Sequence, residues 1–398
     1  MKRLALVLLL VGVCVFVALL WASRRSGDVE APPGIREVTG LLAPELEREF
    51  ERIATVGYVA GVDEPSGDVG VLTYDHAATY DGLTLFTFGK GPEALLIDMQ
   101  GRVVHRWSAE GSEYWARAHA FPNGDLLAIT CFPPRLIKLD RSSEPIWRYE
   151  GHAHHDLDVQ PDGTILVLVR SVATREHILD GAEVLDDNIV LLDAEGREFY
   201  TVSLLSAFER AESFSSWLTD HPLPDDPDIF HANSVELVTL NGQKCALVSI
   251  RSIDTIAAIE ISSGSVVWAV TGDWHAQHEA QLVGGNLLMF DNLGPEPGPG
   301  GTRRSRVVEY DMRTGRSVWT YSEPGFFSHG AGAQQRLPNG NTLITESDAG
   351  RVIEVSPDGQ VVWEYVNPRT VVESGREVTL AIMRAERLPG DFPLDWLP

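Results

Sequence analysis

The sequence predicts an all-β protein, a six-bladed β-propeller, on three observations. A strand–turn–strand unit ending in an aromatic residue occurs six times; a second hairpin built on Pro-Asn-Gly or Pro-Asp-Gly alternates with it; and the end of the chain resembles an earlier copy of that second hairpin. The first unit runs from Leu96 to Trp107 and recurs up to Trp147, Tyr200, Trp268, Trp319 and Trp363. The second is clearest at Phe121-Pro122-Asn123-Gly124, Gln160-Pro161-Asp162-Gly163 and Leu337-Pro338-Asn339-Gly340, with variants at Asn241-Gly242 and Gly284-Gly285. Glycine there supplies the positive φ of a tight hairpin. Two hairpins in series make a four-stranded blade, and blades of about 40 to 50 residues repeated around an axis make a propeller. The repeated tryptophans are read as packing between blades.

Taken in order, the chain opens with Lys2 and Arg3, an apolar run from Leu4 to Ala22, then Arg24 and Arg25. At 1.5 Å per residue the run spans a hydrocarbon core of about 30 Å, so residues 1–25 are read as an uncleaved membrane anchor, Cys14 included. Residues 26–82 read as a Pro/Gly linker and a short stalk helix, in which Leu46, Phe50 and Ile53 share a face. The propeller is expected over 83–398. Its first blade starts late, at Leu83, without an inner hairpin, and Met383 to Gly390 matches Gly332 to Gly340. A C-terminal strand is therefore expected to complete the N-terminal blade and close the ring, leaving fewer exposed edges.

Composition narrows function. Against 32 Lys and Arg stand 57 Asp and Glu, a formal charge of −25, which repels phosphate backbones; a nucleic-acid partner is not expected. An acidic surface suits a protein partner instead. Cys131 and Cys245, the remaining cysteines, have no Cys-x-x-Cys partner and are read as scattered buried thiols.

Chemistry is expected at the histidines. His119, His155, His231, His278 and His329 each precede an inner hairpin turn, and if inner strands line the axis these imidazoles converge on one end of the channel. His154-His155-Asp156 places a carboxylate beside imidazole; Phe230-His231-Ala232-Asn233-Ser234 is followed by Ser249-Ile250-Arg251; Gln277-His278-Glu279 runs on to Phe290-Asp291-Asn292.

On these His-Asp, His-x-Asn-Ser, Ser-x-Arg, Gln-His and Phe-Asp-Asn motifs, with the run Leu337 to Ile344, the stretch from Gly82 to Pro368 resembles the arylsulfate sulfotransferases and their many relatives. The resemblance implies an extracytoplasmic six-bladed propeller that moves a sulfuryl group from an aryl sulfate ester to a phenol without a nucleotide donor or other cofactor. It further implies His278 as the nucleophile, with His155, His231 and Arg251 around it; His119, His329, Asn233 and Asn292 are expected to bind substrate. A neutral imidazole attacking sulfur divides one difficult transfer into two displacements. Arg251 is suited to developing negative charge on the sulfuryl oxygens, and a histidine to protonating the leaving phenolate.

Two other readings remain open at this level. One is a non-catalytic extracytoplasmic scaffold or ligand-binding subunit. The other is a zinc or copper site using Asp156 or Glu279, although no His-x-His or His-x3-His pair is present. The Pro/Gly run Gly294 to Gly301, with Arg303, Arg304 and Arg306, reads as a flexible loop or a cationic lid; Asp225, Asp226 and Asp228 read as a solvated acidic loop or a calcium site.

Overall fold

The computed structural model describes residues 67–176, 178, 181–211, 226–295, 301–373 and 375–397. All of them belong to the second of two compact units, Phe50–Pro398. The apolar run read as an anchor and the stretch read as a stalk helix lie outside the described residues. Among the described residues, no helix is long and apolar enough to cross a membrane.

A strand β1 (Gly70–Tyr74) comes first. The first blade begins with β2 (Gly82–Phe88), β3 (Glu93–Ile97) and β4 (Val103–Ser108), and the second comprises β5 (Tyr114–Ala120), β6 (Leu126–Cys131), β7 (Arg135–Leu139) and β8 (Pro145–Tyr149). The third holds β9 (Ala153–Val159), β10 (Ile165–Thr174), β11 (Glu183–Leu192) and β12 (Glu198–Ser203), followed by a short helix α1 (Leu204–Glu209). Next come β13 (Ala232–Leu240), β14 (Gln243–Ile250), β15 (Thr255–Glu260) and β16 (Ser265–Thr271). The fifth blade is β17 (His278–Val283), β18 (Asn286–Asp291), β19 (Arg306–Asp311) and β20 (Arg316–Tyr321), and the sixth β21 (Ala333–Arg336), β22 (Thr342–Glu346), β23 (Arg351–Val355) and β24 (Val361–Val366). A hairpin of β25 (Thr370–Glu373) and β26 (Arg376–Thr379) leads into β27 (Ile382–Pro389). β27 pairs antiparallel with β2, from Gly82 opposite Pro389 to Phe88 opposite Ile382, so the C-terminal strand closes the ring as the repeat predicts.

The repeat did not reveal β1. It lies within the segment read as linker, yet it pairs with β24 and widens the sixth blade to five strands.

Each blade buries both faces against its neighbours, which is why β3, β6 and β10 read as apolar runs rather than alternating strands. Six apolar clusters result, one per junction: Leu96 and Trp107 against Leu126, through to Val352 and Trp363 against Leu95 at the closing junction. The recurring aromatics do sit between blades, but as clasps. The indole N–H groups of Trp107, Trp147, Trp319 and Trp363 donate to Gly124 O, Ala194 O, Pro357 O and Met99 O, each in a turn of the next blade. This use of the polar tip leaves Trp147 and Trp319 only half-buried. At Gly124 the φ of +89° and the Trp396 ring, 2.5 Å from where a Cβ would stand, together require glycine.

Around the axis, adjacent inner strands do not pair. Their side chains satisfy each other's backbone instead. Val235 N–H donates to Asp156 Oδ2 (3.0 Å), Leu237 N–H to Asp158 Oδ2 (2.7 Å), Ala280 N–H to Ser234 Oγ (3.0 Å), Leu282 N–H to Glu236 Oε2 (2.8 Å) and Arg387 N–H to Gln335 Oε1 (2.7 Å). Polar inner strands are thereby compatible with burial.

Candidate active site

Five of the six inner strands break register near their first residues: β5 between Trp115 and Arg117, β9 opposite Val167 and Val169, β13 between Ala232 and Ser234, β17 between His278 and Gln281, and β27 opposite Phe86 and Phe88. A bulge inserts an unpaired residue and re-aims its side chain. His155 and Glu279 accordingly adopt left-handed φ of +55° and +56°, and His231, just before β13, one of +50°, at a cost of about 1–3 kcal/mol each. The re-aimed residues wall one cavity on the axis, lined by Ala116, His155, Asn233, His278, Glu279 and Arg384 among others, with about 390 Å³ of space including its open mouth.

His278 is held from one side only. Its Nδ1 lies 2.7 Å from Asn292 Oδ1 and 3.1 Å from Ala276 O, two acceptors, so Nδ1 carries the proton and Nε2 the lone pair. Nε2 is buried and has no partner among the described residues. Burial, reinforced by the Arg251 charge, lowers the ring to about 3, so it stays neutral at physiological pH. Asn292 is fixed in turn by donating to Ser328 O and Ala331 O, both at 2.8 Å.

Two further imidazoles are oriented by a buried ionic network. His231 Nδ1 is 2.6 Å from Asp228 Oδ2. His155 Nδ1 is 2.7 Å from His154 Nδ1, and His154 Nε2 approaches Asp187 Oδ1 at 3.2 Å in a bent contact. The carboxylate fixes the His154 proton on Nε2, so His155 Nδ1–H donates to His154, while Asp156, the carboxylate beside them in sequence, accepts from Val235 N–H and pairs with Arg117 and Arg384. One guanidinium joins the two arms: Arg170 Nε donates to Asp187 (3.0 Å) and Nη2 to Asp228 (3.0 Å). Although burial pushes Asp187 and Asp228 up, Arg170 holds both below the usual carboxylate range. Burial, then the His231 charge, keeps His155 well below an ordinary histidine. The His155 and His231 rings meet edge-on with centroids 4.9 Å apart.

Arg251 occupies a 3-10 turn (Arg251–Ile253) after β14 and, among the described residues, has no hydrogen-bonded or ion-paired partner for its guanidinium. Gln277, fully buried, ties that turn to β17: its O accepts from Asn233 Nδ2 (2.8 Å) and Ser249 Oγ (3.2 Å), and its Nε2 donates to Ile250 O and Thr255 O. This leaves Asn233 Oδ1 buried beside the cavity and without a partner among the described residues. Opposite the histidines the wall is apolar, formed by Ala331 and Met383 backed by Tyr114 and Phe132. Beneath lies an ionic floor, where Arg384 Nη1 binds both Glu279 and Asp156 and Arg117 Nε is 3.2 Å from Asp156 Oδ1.

The structure thus brings His155, His231, His278, Arg251, Asn233 and Asn292 together. It does not bring His119 or His329 into that group. His119 sits near the far end of β5, where His119 pairs with Leu127 next to the turn, and its ring packs on Phe121. His329 is exposed on the loop before β21, its backbone N–H donating to Asp348. Arg306, read as part of a loop or lid, anchors the buried Asp291 at 2.7 Å, and Asp228, read as solvated or calcium-binding, is buried under His231. Asp225 lies outside the described residues. Sequence reasoning missed Arg170, Asp187, Arg117 and Arg384. The Asp186-Asp187-Asn188 run inside an apolar strand was the available signal for Asp187. Among the described residues, no group of three His, Cys, Asp or Glu side chains is arranged to hold a metal ion.

One solved structure of low identity shares the architecture. A protein of unknown function from Bacteroides caccae is 15% identical over 76% of this chain and 99% of its own, with a TM-score of 0.51. A streptogramin B lyase (14%, 83% and 96%, TM-score 0.46) and the Pan2 WD40 domain of Neurospora crassa (9%, 79% and 92%, TM-score 0.44) are more distant. No curated protein matches in sequence. The arylsulfotransferase (ASST) family model matches residues 135–368, more than half of the chain, a segment carrying His155, His231, Arg251, His278 and Asn292 but not Ala116, Met383 or Arg384. With that match over more than half of a six-bladed propeller, and His155 and His278 lining its cavity, the chain belongs to the arylsulfotransferase family.

Proposed function

We propose that the protein transfers a sulfuryl group from an aryl sulfate ester to a phenolic acceptor, without a nucleotide, through a sulfohistidine at His278. The observation that carries this reading is the buried, unpartnered lone pair of His278 Nε2 facing the cavity while Nδ1–H is held by Asn292. In the first displacement Nε2 attacks sulfur, the N–S bond forms and the S–O bond to the aryl group breaks, releasing phenolate. The ring, still protonated at Nδ1, becomes cationic, and the Asn292 and Ala276 oxygens offset that charge. In the second, the acceptor oxygen attacks sulfur and the N–S bond breaks. Arg251, without a carboxylate partner, meets the sulfuryl oxygens in both transition states, and the Met383 wall receives the aryl ring.

The test is release of phenol from an aryl sulfate with and without a phenolic acceptor, comparing the protein with its His278→Ala variant. Acceptor-dependent release that disappears in the variant is expected. A folded protein that turns over no donor with any acceptor would point to the ligand-binding reading instead.

We also propose that the run Leu4 to Ala22 anchors the protein with its propeller outside the cytoplasm. The length and apolarity of that run support it. Fractionation of cells expressing the full chain, followed by protease accessibility of the propeller, tests it: a propeller in the soluble fraction or shielded by the membrane argues against it.

A further inference from the structure

The transfer proposed above leaves a proton unaccounted for. The departing phenolate must gain one and the acceptor phenol must lose one, yet burial keeps His278 and His155 neutral. Glu279, adjacent to the nucleophile, also lines the cavity, turned inward by its left-handed backbone. Its surroundings are crowded with like charge. From β9 come Asp156 and Asp158, from β13 Glu236, and from β27 Glu386; the cations facing them are Arg117 from β5 and Arg384 from β27, with His119 at the lower edge. Five carboxylates thus meet two guanidinium groups in a channel largely shut off from solvent. Two unit charges 4 Å apart at an effective dielectric of 20 interact by about 4 kcal/mol, so a fully ionised cluster sheds charge by retaining protons. Burial, then repulsion from Asp156, raises Glu279 well above the usual carboxylate range; burial lifts Asp156 to about 6 and Glu236 to about 7. Of these three, Glu279 alone lines the cavity.

We infer that Glu279 is the acid–base residue of this pocket: it protonates the leaving phenolate in the first displacement and recovers a proton from the acceptor phenol in the second. The inference rests on the transferase reading. The first displacement converts aryl sulfate and protonated Glu279 into phenol, sulfohistidine and ionised Glu279. The second converts acceptor phenol, sulfohistidine and ionised Glu279 into the new aryl sulfate, free His278 and protonated Glu279. No proton is exchanged with solvent over the cycle. Arg384, bound to Glu279 and Asp156 together, stabilises the ionised form between the two steps.

The test compares the full-length protein with Glu279→Gln, an isosteric change, on two donors: a nitrophenyl sulfate, whose weakly basic leaving group needs no proton, and an unsubstituted phenyl sulfate, whose phenolate does. Release with phenyl sulfate is expected to fall on the order of 100-fold and release with nitrophenyl sulfate only a few-fold, steepening the dependence on leaving-group basicity. Difference infrared spectra should show a protonated carboxyl band at neutral pH that the variant lacks. Equal losses on both donors, or an unchanged carboxyl band in the folded variant, would overturn this assignment while leaving the transferase intact. A wild type that transfers from neither donor overturns both.

Discussion

Asn292 does two jobs with one amide. Its oxygen holds the His278 proton on Nδ1, and its nitrogen locks the amide to the loop before β21. Replacing it with alanine frees the ring to rotate or change tautomer; taking the cost of losing a histidine's orienting partner at metal sites as a guide, activity falls roughly 10- to 100-fold. Asn292→Ala is therefore expected to lower kcat by that order with little change in KM, measured by steady-state kinetics on an aryl sulfate; an unchanged kcat would remove Asn292 from the mechanism. The histidines facing the cavity could be read from sequence because they stand at similar places in successive repeats; Arg251, at the end of a second strand, was reached through the family resemblance. Arg170 could not, because its partners Asp187 and Asp228 are brought to it by β11 and by the approach to β13, and no spacing encodes that meeting.

Among the elements, the bulges decide what faces the axis. Strict alternation would turn His278 and Glu279 to opposite sides; the irregularity in β17 places both on the cavity. That is why residues adjacent in sequence reach the cavity together, and why His119, beyond the bulge of its own strand, lies apart. β1 escaped notice for another reason: it has no counterpart in the repeat, and a five-residue strand that begins on Gly70 and is followed by Asp75 reads as linker. It covers the β24 edge, with Val71 and Tyr74 packed on the cluster around Trp363. Deleting the chain through Tyr74 is expected to lower stability and expose an unpaired strand edge that promotes self-association. Light scattering and urea melts of the truncated propeller check this; a monomer as stable as the parent would show β1 to be dispensable.

Across the whole molecule, a formal charge of −25 continues inward as the carboxylates of the channel. Glu236 shows what this costs. Burial raises its folded-state value to about 7 from 4.5, so the folded protein binds the proton more tightly than the unfolded chain, and stability falls as pH rises between those values. Glu236→Gln keeps an oxygen for Leu282 N–H and removes the charge. It is expected to gain roughly 1–3 kcal/mol over wild type at pH 8 and little at pH 4.5. Urea melts at the two pH values test this, and an equal difference at both would mean that the carboxyl does not titrate in that window. The ring closure that the repeat made legible has a consequence for biosynthesis. β2 emerges from the ribosome early, but its partner β27 follows only after roughly 300 more residues, on the order of 15–60 s of elongation at ordinary speed. Until then the first blade has no inner strand, and the pocket lacks Met383 and Arg384. By topology alone, any activity of this pocket is deferred until the last strand is in place, and prematurely terminated chains are without it.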